Sequence, residues 1–309
     1  MKVKSIPSSW ISRDGLRLDC NPYLAGALEA RIRLEELPFQ KELLVSLCLN
    51  GIDGIYHAGR ESRSWVDSPD LGVPFLSSSS ILAADLSGLP LISKTQVKLN
   101  PKFVLRKGWT LITRSGTIGR MVFARADMDG LACSEHVMRV VPDETKIPPG
   151  FLYAFLSSKF GVPLVTSGTY GSIIQSIEPE HIAGLPVPRL GKETELHVHN
   201  LVEKASVALT SYTCLLKEAT NRIISELGFM ESKNSEWMSG RSTIGWSEPG
   251  VSQESLRAFN YDPRASKYRT TIEMGAYSEL GSLCDPRYFK GKTIFKRIDS
   301  APEFGVMLV

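Results

Sequence analysis

The feature that most constrains the fold is a long stretch, residues 192 to 227, that contains neither proline nor glycine. Six apolar side chains recur in it at alternating intervals of four and three, the spacing of a helix face that packs on another helix. They are Leu201, Ala205, Ala208, Tyr212, Leu215 and Ala219. We predict one helix about 50 Å long, capped by Gly228, that leaves its domain to pair with a second long helix. The alternative is a core helix packed on the domain before it.

Segments from the start of the chain return after this stretch in the same order. LRLDCNPYLA (16–25) is echoed by LRAFNYDPRA (256–265), LVSLCL (44–49) by ELGSLCD (279–285), and GVPFL (72–76) by GVMLV (305–309). The separations are nearly constant, at about 240, 236 and 233 residues, which indicates one repeat with small insertions. We therefore predict a first α/β (α+β) domain over 1–190, a spacer helix over 191–228, a linker over 229–249, and an incomplete second α/β domain over 250–309.

Within the first unit, short β-rich runs alternate with turns rich in Gly, Ser, Pro and Asp. FVLRKGWTLITR (103–114) and EHVMRVVP (135–142) predict strands, as does MVFAR (121–125). FLYAFLSSKFG (151–161) has a helical period, with prolines at its entry and Gly161 at its exit. A second helix is predicted to start at Pro179, followed by an extended LPVPRL (185–190).

Charge is distributed unevenly along an otherwise ordinary chain. The formal net charge is only +3, and 42% hydrophobic residues are enough for a sizeable core. From Lys94 to Ala126, however, there is no Asp or Glu, while eight side chains are basic. These are Lys94, Lys98, Lys102, Arg106, Lys107, Arg114, Arg120 and Arg125. Such segregation predicts a one-sided basic surface.

Cysteine usage and hydropathy indicate the compartment. The five cysteines are far apart and form no C-x-x-C pair, which argues against a zinc ribbon or a disulfide framework. No signal peptide and no long apolar run is evident. We expect a cytoplasmic protein without a membrane partner.

The sequence matches no enzyme signature that its glycines and histidines suggest. SGTIGR (115–120) lacks the spacing and the lysine of a nucleotide-binding P-loop, and a β-like segment follows it where a helix is required. His197 and His199 lie about 200° apart around a helix and are poor co-ligands for a metal. We expect no catalytic residues, no metal site and no cofactor.

Residue types that suit DNA instead cluster in three segments. LITRSGTIGR (111–120) supplies glycine amides and arginines, SEHVMR (134–139) supplies Ser134, His136 and Arg139, and TYGSIIQSIEPEHI (169–182) precedes a helix. Such groups hold phosphates or contact base edges. The candidate DNA-binding residues are Arg114, Ser115, Gly116, Thr117, Arg120, Ser134, His136, Tyr170, Gly171, Ser172, Gln175 and Lys98.

In motif order and spacing, four segments and the long helix resemble a known family. LITRSGTIGR, SEHVMRVVP, PPGFLYAFLSSKFG and GSIIQSIEPEHIAGLPVPRL are similar to the target-recognition domain of the specificity (S) subunit of type I restriction–modification systems. The resemblance covers residues 105 to 228 and is weaker over 1 to 100. It implies a non-catalytic subunit whose recognition domain reads one half of a split DNA site.

The same resemblance implies partners. The long helix would pack antiparallel as a spacer and help to dock methyltransferase subunits and, through them, the restriction subunit. A full specificity subunit has a second complete domain and a second helix, whereas here the repeat stops at Val309. We therefore expect a truncated gene product, a fragment, or a half-subunit that pairs with itself or with another half. The alternative function is a protein-interaction module without productive DNA binding.

Overall fold

The computed structural model describes residues 3–13, 21–24, 26–167, 176–227, 270–278 and 280–283. The chain divides into two units, residues 1–220 and 221–309. Of the second unit, the described parts are the end of the long helix, residues 270–278 with a helical stretch over 270–273, and Leu280–Leu283. Most of the predicted second domain therefore lies outside the described residues, and its boundaries stay a prediction.

The described residues of the first unit form two four-stranded sheets and one two-stranded sheet. Its strands are β1 (Lys41–Leu43), β2 (Ile55–Tyr56), β3 (Trp65–Val66), β4 (Gly72–Leu76), β5 (Leu91–Ser93), β6 (Thr110–Thr113), β7 (Met121–Phe123), β8 (Ala132–Cys133), β9 (Val137–Val140) and β10 (Pro186–Pro188). The strand orders are β2-β9-β6-β7, β3-β5-β4-β8 and β1-β10, and every pairing is antiparallel except β4 with β8.

Helices of very different lengths surround these sheets. They are α1 (Ser8–Arg13), α2 (Asn21–Leu24), α3 (Ala27–Glu36), α4 (Leu44–Leu47), α5 (Lys94–Leu99), α6 (Pro149–Leu156), α7 (Gly161–Ser167), α8 (Pro179–Ala183) and α9 (Lys192–Glu226). Short 3-10 helices span Gly51–Gly54, Ser80–Leu82, Pro101–Phe103 and Ala126–Met128. The predicted mixed α/β fold followed by one long helix is confirmed.

Strand β6 is buried on both faces, so alternate side chains enter two different cores. Ile112 packs with Phe151 and Leu152 of α6 in the larger core, while Leu111 packs with Leu76 of β4 in a second one. Burying a Leu or Ile side chain completely is worth about 1.5–3 kcal/mol. The continuous apolar run in this strand thus places the segment that follows it at a fixed edge of the sheet.

One helix boundary differs from the prediction. We expected a helix over 151–161 that ends at Gly161, but α6 ends at Leu156 and Gly161 begins α7. A Cβ atom at Gly161 would lie 2.3 Å from the Phe155 carbonyl oxygen and 2.4 Å from that of Leu156. Glycine is therefore required there because the next helix starts against the end of α6, and not as a C-cap.

The long helix packs on the first unit by one face. Glu195 is buried and accepts hydrogen bonds from Arg189, which follows β10. Farther along, Glu203 pairs with Lys107 at 2.9 Å, and the Thr213 hydroxyl donates to the Ala84 carbonyl at 2.8 Å. These contacts fix the course of α9 from its start to beyond its midpoint.

Candidate nucleic-acid interface

Strand topology brings three loops to one edge of the β2-β9-β6-β7 sheet. Residues 57–64 follow β2, residues 114–120 follow β6, and residues 134–136 precede β9. Because β9 is antiparallel to both neighbours, the carboxyl ends of β2 and β6 meet its amino end. A fourth segment, 176–178, joins them through a bridge between Ser115 and Ser176. We term these four segments the interface edge.

A chain of hydrogen bonds fixes the middle of the interface edge. The Ser115 hydroxyl lies 2.6 Å from Nδ1 of His136, and Nε2 of His136 lies 3.3 Å from the Glu135 carboxylate. Arg63 donates to the other carboxylate oxygen of Glu135 at 2.7 Å. Burial alone would raise the pKa of Glu135, but the hydrogen bond and charge of Arg63 outweigh it and hold that pKa below its ordinary value.

Arg114 does not face outward as the sequence predicted. Its side chain is almost fully buried, its Nε donates to the Ile177 carbonyl at 2.9 Å, and its guanidinium pairs with Glu178. The guanidinium thus binds the 114–120 loop to the 176–178 segment. In this structure its role is to hold the interface edge together.

His57, in the 57–64 loop, lies close to the same carboxylate, with its Nε2 3.5 Å from Glu178. Burial lowers the pKa of His57, the nearby charge of Arg114 lowers it further, and Glu178 opposes both. The imidazole is therefore biased toward its neutral form. Glu178 consequently links loops that are far apart in the sequence.

Four of the predicted DNA-binding residues are exposed, three of them within this edge. They are Gly116, Thr117 and Arg120 in the 114–120 loop, and Lys98 on α5. Ser115 and His136 are half-buried. The side chain of Arg120 has no ion pair or hydrogen bond to another residue in the described ranges. The structure thus brings five of the twelve together as accessible residues of the interface edge, and the sixth accessible one, Lys98, lies on α5 outside it.

The two glycines of the 114–120 loop share a left-handed backbone, and the amide of Gly119 is used within the protein. Both have a positive φ, 77° at Gly116 and 81° at Gly119. The Gly119 amide donates to the Thr113 carbonyl at 2.9 Å and so closes the hairpin between β6 and β7. That amide is therefore already satisfied, contrary to the expectation that it holds a phosphate.

Two further residues of the SEHVMR segment turn out to be internal. Ser134 is buried and its hydroxyl accepts from the His136 amide at 3.1 Å. Arg139 is completely buried and donates to the carbonyls of Ser134 and Val137. Neither side chain reaches the surface, because the turn that precedes β9 closes around them.

Four predicted residues cannot be placed. Tyr170, Gly171, Ser172 and Gln175 lie outside the described residues. The prediction for them therefore stands as it was made from the sequence.

Sequence reasoning missed the 57–64 loop. HAGRESRS carries a histidine and two arginines between short strands, with glycine and serine between them. The same composition drew attention to residues 114–120, so the signal was present. The segment before residues 57–64, however, lacks an apolar run like the one that allowed β6 to be predicted as a strand.

No group of three or more His, Cys, Asp or Glu side chains in the described part of the chain is arranged to hold a metal ion. Nor does any helix there combine the length and apolar character needed to cross a bilayer.

The apolar stripe of α9 is exposed. Leu201, Tyr212 and Leu215 are 52, 50 and 64% exposed, and the three alanines of the stripe are exposed as well. A different face of the helix packs on the first unit, and it includes Glu195, Ser206 and Thr213. At about 100° of rotation per residue, this face lies roughly 130° around the helix axis from the apolar stripe. The alternative interpretation, a helix packed on the domain before it, therefore holds for the face that carries Glu195 and Thr213, and α9 does not leave its domain over this length. The apolar stripe is not part of that contact, and its predicted pairing with a second long helix stays a prediction.

Two of the solved structures that this chain matches are S subunits of type I restriction-modification systems. The S subunit of a type I restriction-modification system from M. genitalium is 15% identical with a TM-score of 0.40, covering 62% of this chain and 45% of that one. The HsdS subunit from Thermoanaerobacter tengcongensis is 15% identical with a TM-score of 0.40, covering 64% and 46%. A chain from a structure of complex assembly and conformational transition in the type I R-M system is 13% identical with a TM-score of 0.41, covering 70% and 52%.

This chain thus spans about half the length of the solved chains that it resembles. No protein-family model and no curated protein matches the sequence.

Proposed function

We propose that this chain is a specificity subunit of a type I restriction–modification complex, which reads one half of a bipartite DNA site. It contributes no catalytic residue of its own and acts by positioning methyltransferase subunits on DNA. The observation that carries the proposal is the interface edge, where Arg60 and Arg120 are exposed in two loops that meet at the same end of one sheet.

The interface edge carries four arginines (Arg60, Arg63, Arg114 and Arg120) and three glutamates (Glu61, Glu135 and Glu178), which is a net charge of +1. Two of the three glutamates are paired with arginines. Glu178 is held by Arg114, and Glu135 is held by Arg63. Arg120 and Lys98, by contrast, are exposed. Exposed Lys and Arg side chains neutralise phosphates and release counterions, which provides most of the affinity of a protein for duplex DNA.

A binding experiment with the full chain tests this proposal. Duplex DNA of random sequence is titrated at salt concentrations from 50 to 200 mM, with R120A, K98A and the control R106A. Arg106 is exposed and lies at the opposite end of the β6–β7 hairpin from Gly116. We expect R120A and K98A each to weaken binding and to flatten the salt dependence by about one unit of slope, with R106A unchanged. Equal effects of all three variants would mean that the DNA does not bind preferentially at Arg120 and Lys98, which would contradict the proposed interface.

The second candidate function is a protein-interaction module that never binds DNA productively. The exposed stripe on α9 favours it. Co-expression with a type I methyltransferase subunit of the same genome distinguishes the two: recovery of a complex that binds no duplex supports the module, whereas a complex that methylates a motif with defined halves supports the specificity subunit.

A further inference from the structure

Residues 57–64 run from β2 to β3 without forming a helix or a strand, yet their course is fixed by side chains of the basic helix α5 and its end. Gln96 accepts from the Ser64 amide at 2.9 Å and donates to the Ser62 carbonyl at 2.7 Å. Asn100 donates to the Ala58 carbonyl at 2.8 Å. Amide side chains thus hold both halves of the loop.

The same two amides also restrain the acid of the loop. Asn100 donates to the Glu61 carboxylate at 2.6 Å, and Gln96 donates to its other oxygen at 3.4 Å. These contacts hold Glu61 against α5. Hydrogen bonds from neutral amides fix the position of the Glu61 carboxylate but leave its charge exposed.

Two of the three basic side chains in this loop are engaged internally. His57 faces Glu178 at 3.5 Å. Arg63 pairs with Glu135 and lies 5.0 Å from the centre of the Phe75 ring. Arg60 differs, because it is exposed and makes no hydrogen bond or ion pair with another described residue. A cation is thus presented from a backbone that is held in place.

We infer that the 57–64 loop is a second DNA-reading loop, in which Arg60 contacts a base edge in the major groove of duplex DNA. This inference rests on the proposed function and names a specificity-determining residue for it. An arginine fork that pairs with guanine must be carried by a positioned backbone, and the amides of Gln96 and Asn100 provide that position. The exposed lysines of the neighbouring segment, Lys98 and Lys102, contact phosphates and orient the domain.

Selection from a randomised duplex library with the full chain tests the role of Arg60. Sequencing of the bound DNA gives the motif for wild type, R60A and the control R106A. We expect R60A to lose preference at one or two adjacent positions, to keep the rest of the motif, and to bind the wild-type site roughly 10- to 100-fold more weakly, as for a bidentate base contact of about 1–3 kcal/mol. The R106A motif should match that of wild type.

Two outcomes overturn the inference and leave the proposed function intact, and a third overturns both. If R60A recovers the same motif with a salt slope flatter by about one, Arg60 binds phosphate and does not read a base. If R60A recovers the same motif with unchanged affinity, the loop does not contact DNA. If the wild-type chain itself recovers no motif, the proposed function fails and the inference fails with it.

The positioning role of Gln96 has a separate test. Q96A removes the hold on Ser62, Ser64 and Glu61, whereas Thr95 is exposed on the same helix and T95A serves as its control. We expect Q96A to reduce the base preference at the same motif positions as R60A and to leave the preference at all other positions unchanged. A motif that is uniformly weakened, or unchanged, would show that the amide does not position Arg60.

Discussion

Arg114 and Glu178 form an ion pair in which the cation is almost fully buried while the carboxylate is partly exposed. The pair joins the loop after β6 to the segment before α8. Glu178 also meets His57, so a single carboxylate connects three of the four segments of the interface edge. The shape of this edge therefore depends on a charge that the sequence places 64 residues away from Arg114.

We predict that Glu178→Gln destabilises the first unit by about 2–3 kcal/mol, because it leaves the Arg114 guanidinium buried without a counter-charge. Glutamine keeps the size of the side chain and can still accept the hydrogen bond that caps α8. Urea unfolding followed by tryptophan fluorescence measures the change. Glu180→Gln, at an exposed position two residues on, should shift stability by no more than about 0.5 kcal/mol. Equal effects of the two variants would contradict a structural role for the pair.

The loop glycines give a second prediction. An alanine Cβ at Gly119 would lie 2.4 Å from Cγ2 of Thr166 in α7, whereas one at Gly116 would meet no atom within 4 Å. Both substitutions force a left-handed backbone on alanine at about 1 kcal/mol, and Gly119→Ala adds overpacking of about 1–3 kcal/mol. In thermal unfolding, Gly119→Ala should therefore have a clearly lower Tm than Gly116→Ala. The reverse order would mean that the 114–120 loop does not pack on α7.

The sequence allowed the long helix and the strand β6 to be predicted because their periodic patterns are local. The burial of Arg114 and Arg139 was not predictable in this way, since an arginine in a β-rich segment has the pattern of a surface residue. Their partners are assembled only by the fold: Ile177 and Glu178 for Arg114, and carbonyls around the turn before β9 for Arg139. The glycines and arginines of the 114–120 loop marked this segment in the sequence. The buried hydrogen bonds and the ion pair that hold the interface edge together were not predicted.

The start of α9 gives a pH-dependent prediction. Burial alone would raise the pKa of Glu195, but hydrogen bonds from Arg189 and from the Leu190 amide outweigh it, so the folded pKa lies below the ordinary value of 4.5. A carboxyl with a lowered folded pKa stabilises the protein above its ordinary pKa, and that stabilisation is lost as the pH falls from about 4.5 through the folded value.

Glu195→Gln should therefore cost about 2 kcal/mol at pH 7 and progressively less below pH 4.5. Urea unfolding of wild type and variant at several pH values measures the difference. Glu193→Gln changes an exposed carboxyl in the same first turn and serves as the control. A cost that stays constant between pH 7 and pH 3 would show that the charge of Glu195 does not contribute to stability.

The exposed stripe of α9 has a symmetry that favours pairing with a second copy. Its six positions are symmetric about residue 210, so an antiparallel copy aligned there sets each large side chain against a small one. Leu201 then lies opposite Ala219, Leu215 opposite Ala205, and Tyr212 opposite Ala208. Alternation of large and small residues across facing positions lets two helices interdigitate closely.

We predict that Ala208→Tyr weakens self-association at least tenfold, because two tyrosines would then face each other at one level. Adding Tyr212→Ala exchanges the large and small positions, and the double variant should recover most of the lost affinity. Sedimentation at several concentrations measures the dissociation constants, with Leu196→Lys on another exposed face of α9 as the control. Failure of the double variant to recover, or a wild-type chain that stays monomeric throughout, would contradict antiparallel pairing through this stripe.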